Sequence, residues 1–141
     1  MYIEWKKEYC IGVQRIDEQH QKLINLLNQL YTLVGQEANN EQNNEKSWRL
    51  LNEFNQYAET HFTTEERIAA DNNVPFSELE SHKGEHQAYR ERIKLLQKNY
   101  LSSEKFVPVQ LMAFLSKWWL SHILVKDMEL GKWINQNTSE E

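Results

Sequence analysis

Two histidines four residues apart frame the segment His82-Lys-Gly-Glu-His86. On a helix this spacing stacks both imidazoles on one face, one turn apart, where they can reach a single metal ion. His61 and Glu65 repeat the geometry with one nitrogen and one oxygen donor. His122 is followed five residues later by Asp127, and His20 stands near the start. The chain has five histidines, and this set uses all of them. A lone inward histidine is ordinarily a hydrogen-bonded core residue. Five of them converging with two acids are another matter, because burying so many polar groups without compensation is costly. The set reads as ligands.

The kind of metal follows from the donors. A structural zinc site needs four ligands and often takes cysteine, and calcium or magnesium wants mostly oxygen. Seven donors exceed one octahedron and suit two ions about 3.5–4 Å apart. If Glu65 and Asp127 each bridge, then five imidazoles, four carboxylate oxygens and one solvent-derived oxo or hydroxo bridge fill all but one position of two octahedra. One small ligand can then bind. Imidazole with bridging carboxylate favours two Fe ions over zinc or copper, with manganese left open. Ferritin-like di-iron enzymes use four carboxylates and paired Glu-x-x-His motifs, and this chain has no Glu-x-x-His. Fewer anionic ligands stabilise high-valent iron less. The expectation is therefore a centre that takes oxygen to the peroxide level and releases it again.

The elements that must position these residues come next. Residues 1–16 lack helical periodicity and read as an arm laid along the outside. Ile16, His20, Leu23, Leu27, Leu30 and Val34 then recur at steps of three and four, marking one helix face. Leu51, Phe54, Ala58, His61, Glu65 and Ile68 mark a second, and Leu79, His82, His86, Tyr89, Ile93, Leu96 and Tyr100 a third. Leu111, Leu115, Trp118 and His122 mark the fourth, with Pro108 in its first turn. The asparagine-rich tract 36–45, Asp71-Asn-Asn-Val-Pro75 and the segment around Glu104 separate them, and Ser77 with Glu80 reads as a capping box. The spacing predicts an all-α, up-down-up-down four-helix bundle, one domain over 1–141, with helices over about 17–36, 45–70, 77–101 and 106–131. The midpoints between successive ligand groups fall at these breaks, so antiparallel helices bring all seven donors to one level. On the fourth helix the seam calls for a ligand at 125 or 126, yet the acid is Asp127. One extra residue must be absorbed there, as a π turn or a loosened last turn.

Composition sets limits. Net charge is −5 without a basic cluster, which argues against nucleic acid or an anionic membrane as partner. No apolar leader is expected at the N-terminus, and the apolar stretch 106–125 is broken by Gln110, Lys117 and His122, so a cytoplasmic protein is expected. The single cysteine, Cys10, reads as a small buried hydrophobe, and Trp5, Trp48, Trp118 and Trp133 as packing residues.

With Ile16-Asp-Glu-Gln-His20, His61-Phe-Thr-Thr-Glu65-Glu66, His82-x-x-x-His86 and Trp118…His122-Ile…Asp127, the chain resembles the bacterial hemerythrins over essentially its whole length. The resemblance implies one iron held by His82, His86 and His122, the other by His20 and His61, with Glu65 and Asp127 bridging. It places the open position on the two-histidine iron. It implies reversible binding of O2, with azide as an analogue, by a binding protein rather than an enzyme. An oxygen or redox sensing module and a di-iron scavenger of peroxide or nitric oxide are the alternatives. Three positions depart from the family's habit: Ala69 replaces a methionine, Val74 a tyrosine and Trp119 a leucine. Trp119 either lines the ligand pocket, in room left by Ala69, or turns outward while Trp118 points in. Glu66 is a candidate acceptor for the outer N–H of a ligand imidazole.

Overall fold

The computed structural model describes residues 3–36, 41–101 and 109–139. They form helices α1 (Gln14–Gln36), α2 (Glu41–Asp71), α3 (Phe76–Leu101) and α4 (Val109–Ser121), a π turn over His122–Asp127, and α5 (Met128–Ser139). The last three run on as one rod, so the architecture is an all-α four-helix bundle. Among the described residues there is no strand, and no helix is long and apolar enough to cross a membrane.

Several bounds differ from the spacing-based expectation. Helix α1 starts at Gln14, ahead of residue 17. Helix α2 already includes residues 41–45, because Glu and Gln are good helix formers and a first turn can leave its N–H groups to water. Helix α3 opens at Phe76, directly after Pro75, whose carbonyl accepts the first helical bond from Leu79 N at 3.0 Å. Ser77 therefore lies inside the first turn rather than capping it. The fourth rod continues through α5 to Ser139, well past residue 131. Residues 37–40 of the asparagine tract, Glu104 and Pro108 lie outside the described residues.

The α2–α3 turn is closed by backbone chemistry. Asn73 adopts φ 57°, a left-handed conformation that asparagine tolerates, and Val74 N and Asn73 N bond back to Ala69 O and Ala70 O at 3.1 and 3.2 Å. The accompanying apolar contact is made by Val74 and Ala69, which share one buried cluster.

Two apolar clusters bracket a polar layer. The larger includes Leu23, Leu27, Phe54, Phe62, Tyr89, Leu115, Trp119 and Ile123, and the smaller holds Ile11, Ile16, Ala69, Val74, Leu130 and Ile134. On α1 the sequence passes from Ile16 through His20 to Leu23. On α2 it passes from Phe62 through Glu65 to Ala69, and on the fourth rod from Ile123 through Asp127 to Leu130. The histidines and acids thus form one level of the bundle with packed hydrocarbon on both sides.

The N-terminal arm ties the layers together. Ile3 belongs to the larger cluster and Ile11 to the smaller. Ile3 N and O exchange 2.8 Å hydrogen bonds with the Asn28 side chain, and the buried Asp17 carboxylate accepts from Ile11 N at 2.7 Å and Gly12 N at 3.2 Å. Gly12 sits at φ 86°, where a side chain would be strained, and a Cβ at Gly131 would lie 2.4 Å from Ile11 O. Cys10 is exposed on this arm, not buried, because the chain turns its neighbour Ile11 inward instead.

Candidate metal centre

All seven candidate residues meet in the polar layer, and all are buried: His20, His61, Glu65, His86, His122 and Asp127 completely, and His82 to 3% exposure. Helices α1 and α2 contribute His20, His61 and Glu65, and α3 contributes His82 and His86. The π turn presents His122 and Asp127. In a regular α-helix, residues five apart are separated by about 140° around the axis. Here the i→i+5 register of the turn, seen in Met128 N bonding to Ile123 O, brings both side chains to one face.

The five imidazoles all aim Nε2 at the two carboxylates, and each carboxylate divides its oxygens between them. Glu65 Oε1 lies 2.5 Å from His61 and 3.5 Å from His20. Its Oε2 lies 2.9, 3.2 and 3.5 Å from His82, His86 and His122. Asp127 behaves alike. Its Oδ2 is 2.6 Å from His20 and 3.5 Å from His61, while Oδ1 is 2.8 Å from His82 and 3.0 Å from His122. Two donor groups result, Glu65 with His82, His86 and His122, and His20 and His61 with Glu65 and Asp127.

These donors fit cations better than they fit one another. For metal–donor bonds of about 2.1 Å, neighbouring corners of an octahedron are about 3.0 Å apart, the middle of the observed spread. Glu65 Oε1 and His122 Nε2 are buried without a hydrogen-bond partner despite their close neighbours. The outer nitrogens explain why. His86 Nδ1 faces Glu66 Oε2 at 3.3 Å, His122 Nδ1 faces Glu85 Oε1 at 3.2 Å, and His61 Nδ1 faces Gln19 Oε1 at 2.9 Å. Each acceptor takes the Nδ1 proton and leaves Nε2 with a lone pair directed at carboxylate lone pairs. A cation between them resolves that repulsion, and in its absence protons must.

The titration behaviour agrees. Burial opposes charge on His20 and His82, but hydrogen bonds to Asp127 and Glu65 prevail and raise both to about 9, from 6.5. His122 is likewise raised well above its usual value by Asp127 and Glu65 against burial. Burial would raise Glu65, yet charge on His61 and His122 holds it well below the carboxylate range. Burial and Glu65 would raise Asp127, and His122 outweighs them and keeps it ionised.

A lid of rings covers the layer from the larger cluster. Phe62 stacks on His86 at 4.0 Å and 18°, and Trp119 lies parallel to Phe62 at 5.5 Å and 6°. Trp119 is fully buried and sits 5.9 Å from His61 and 5.7 Å from His122. Of the two alternatives, Trp119 therefore points inward. Trp118, placed on the inward seam by spacing, is half-buried and stacks on the flank of His122 at 4.7 Å and 14°. The room for Trp119 does not come from Ala69, which belongs to the smaller cluster on the far side of the layer.

Glu66 is where sequence reasoning put it. Gln19, Glu85 and the Phe62 stack were missed. Nothing in the sequence separates Glu85 from the neighbouring acids Glu78, Glu80 and Glu91, and Gln19 lies off the apolar seam of α1.

A sequence profile described as "Hemerythrin HHE cation binding domain" matches residues 11–134. The chain is 29% identical to a bacteriohemerythrin of Clostridium acetobutylicum over 126 residues, covering 89% of this chain and 95% of that protein. It is 24% identical to a bacteriohemerythrin of Pseudomonas aeruginosa, covering 96% of this chain and 95% of that protein. A hemerythrin-like protein of Naegleria gruberi is 29% identical over 125 residues, covering 89% and 87%.

Proposed function

The chain belongs to the hemerythrin family, and from that premise we propose that it is a di-iron protein that binds O2 reversibly. In this reading His82, His86 and His122 would hold one iron and His20 and His61 the other, with Glu65 and Asp127 offering an oxygen to each. The single observation that carries it is the division of the carboxylate oxygens: each acid turns one oxygen to the two-histidine group and the other to the three-histidine group. An iron pair held by these residues would supply the reversible redox chemistry that binding of a small ligand such as O2 requires.

The protein's own part is to position and to keep dry. The outer hydrogen bonds of His61, His86 and His122 fix each ring and its tautomer before any metal arrives. Phe62, Trp119 and Ile123 close the layer on one side with hydrocarbon and rings, excluding water from the bound ligand. Trp119 and Phe62 both approach the two histidine groups, at 5.9 and 6.1 Å from His61 and at 5.7 and 5.9 Å from His122, so together they limit the size of what can enter.

The test is a cycle. Iron-loaded protein, reduced without air, is exposed to oxygen and then purged while its absorption spectrum and iron content are followed. The expected result is about two irons per chain and a visible band that appears and disappears over repeated cycles. Steady consumption of reductant with no reversible band would overturn the binding reading in favour of an oxidase or peroxidase.

A further inference from the structure

A second feature lies between α1 and α2, outside the metal layer. A cleft of about 380 Å³ is lined by Arg15, Arg67, Glu59, Thr60, Thr63 and Thr64. The chain has five arginines. Arg49 pairs with Glu45, Arg90 with Glu59 and Glu66, and Arg92 lies over Phe114. Arg15 and Arg67 have no carboxylate within 4.0 Å among the described residues, although the protein carries a net charge of −5. The acid that borders the cleft is already engaged, since Glu59 Oε1 accepts from Arg90 Nε at 2.7 Å. Two uncompensated guanidinium groups and a row of hydroxyls thus share one opening. Guanidinium forks match the oxygens of phosphate.

The floor of this cleft connects to the metal layer. Thr64 is buried and donates its hydroxyl to Thr60 O at 2.8 Å. Its oxygen accepts from Gln19 Nε2 at 3.0 Å, and Gln19 Oε1 accepts from His61 Nδ1 at 2.9 Å. Every donor and acceptor in the chain has one consistent direction, from His61 outward to the cleft.

We propose that the Arg15–Arg67 cleft binds a phosphate group, free or as a small monoester, and that its occupancy is felt at His61 through Thr64 and Gln19. An anion over the floor offers the Thr64 hydroxyl a charged acceptor in place of a backbone carbonyl. The Thr64 oxygen then draws more strongly on Gln19, and Gln19 on the His61 N–H, because hydrogen bonds in a chain polarise one another. His61 becomes a richer donor on the two-histidine side. The cleft stands independently of the metal assignment, whereas the coupling rests on the di-iron reading.

Calorimetric titration of the full chain with inorganic phosphate, and separately with adenosine monophosphate, tests the cleft without iron. One saturable site per chain is expected, weakened at least about tenfold by Arg67→Gln or Arg15→Gln, consistent with loss of a charge-assisted bond. Tighter binding of the monoester identifies an organic phosphate as the ligand, and equal binding identifies the free ion. No saturable binding at millimolar concentrations, or affinities unchanged in both variants, overturns the site. For the coupling, phosphate is added to iron-loaded protein and the visible band followed. A shift is expected in the parent and not in Gln19→Ala, which breaks the relay outside the cleft, leaves every lining residue in place and should still bind phosphate. A saturated cleft with no shift, or a shift that persists in Arg67→Gln, overturns the coupling. Failure to load iron would instead count against the di-iron reading and leave the calorimetric result standing.

Discussion

The two sides of the histidine layer use the same ligand atoms on different supports. On the three-histidine side, His86 and His122 donate their outer N–H to Glu66 and Glu85. Those carboxylates in turn face Arg90 at 4.0 Å and Lys126 at 3.9 Å near the surface. On the two-histidine side, His61 donates to the neutral amide of Gln19, and His20 Nδ1 is buried with no partner among the described residues. A carboxylate behind an imidazole makes it a stronger donor and locks its orientation, and an amide does so less. The contrast teaches that the three-histidine group is backed by charged acceptors and the two-histidine group by a neutral one. Under the proposed di-iron reading the first position would hold its metal more firmly, and the second would be where a ligand comes and goes.

The comparison breaks most visibly when a ligand is removed. His82→Ala takes one of the three nitrogens from the firm side and should leave no more than one iron per chain, with the dinuclear absorption gone. Retention of both irons, measured by metal analysis, would mean the division of donors is wrong. The supports come next. Glu85→Gln should weaken iron binding about 10–100-fold. Gln19→Ala, which loses one neutral hydrogen bond of about 1 kcal/mol, should cost only about fivefold. Equal losses in competition titrations with a chelator would erase the asymmetry. Gln19→Glu sharpens it from the other direction: a charge behind His61 should favour the oxidised metal and speed autoxidation.

A smaller effect belongs to the lid. Trp119→Leu should speed azide binding and autoxidation several-fold with iron content unchanged, by stopped-flow and slow-scan absorbance. Unaltered rates for both would make the ring a packing element alone. The smallest effect is on the metal-free protein. His20 and His82 are raised to about 9 in the folded chain, so their pairing with Glu65 and Asp127 stabilises fully below pH 6.5 and is lost as pH rises toward 9. The midpoint of thermal unfolding should fall by a few degrees over that window without metal and less in the loaded protein. Binding of metal should release protons across the same range, because ligand imidazoles must be neutral.

How much of this was legible in the sequence differs by element. Helical periodicity put His20, His61, Glu65, His82 and His86 on inward faces, because side chains three and four apart share a face whatever the partner helix does, and the breaks midway between ligand groups brought those faces to one level. The mismatch between His122 and Asp127 pointed to an irregular turn, and a π turn is there. What stayed hidden depends on contacts between elements. Trp118 and Trp119 are adjacent and equally apolar, and only the packing of Phe54 and Phe62 against Trp119 chooses between them. Glu85 supports His122 from a different helix, and no spacing within α3 reveals that. The exposure of Cys10 follows from the arm's pairing with Asp17, a contact that periodicity cannot see.

In the proposed reading seven residues hold two irons unequally. Anomalous scattering from a crystal of the iron-loaded protein, measured at the iron edge, tests it most directly. The account predicts two peaks about 3.5–4 Å apart, one against His82, His86 and His122, the other against His20 and His61, both touching Glu65 and Asp127. A single peak, or a second iron bound outside this layer, would contradict it.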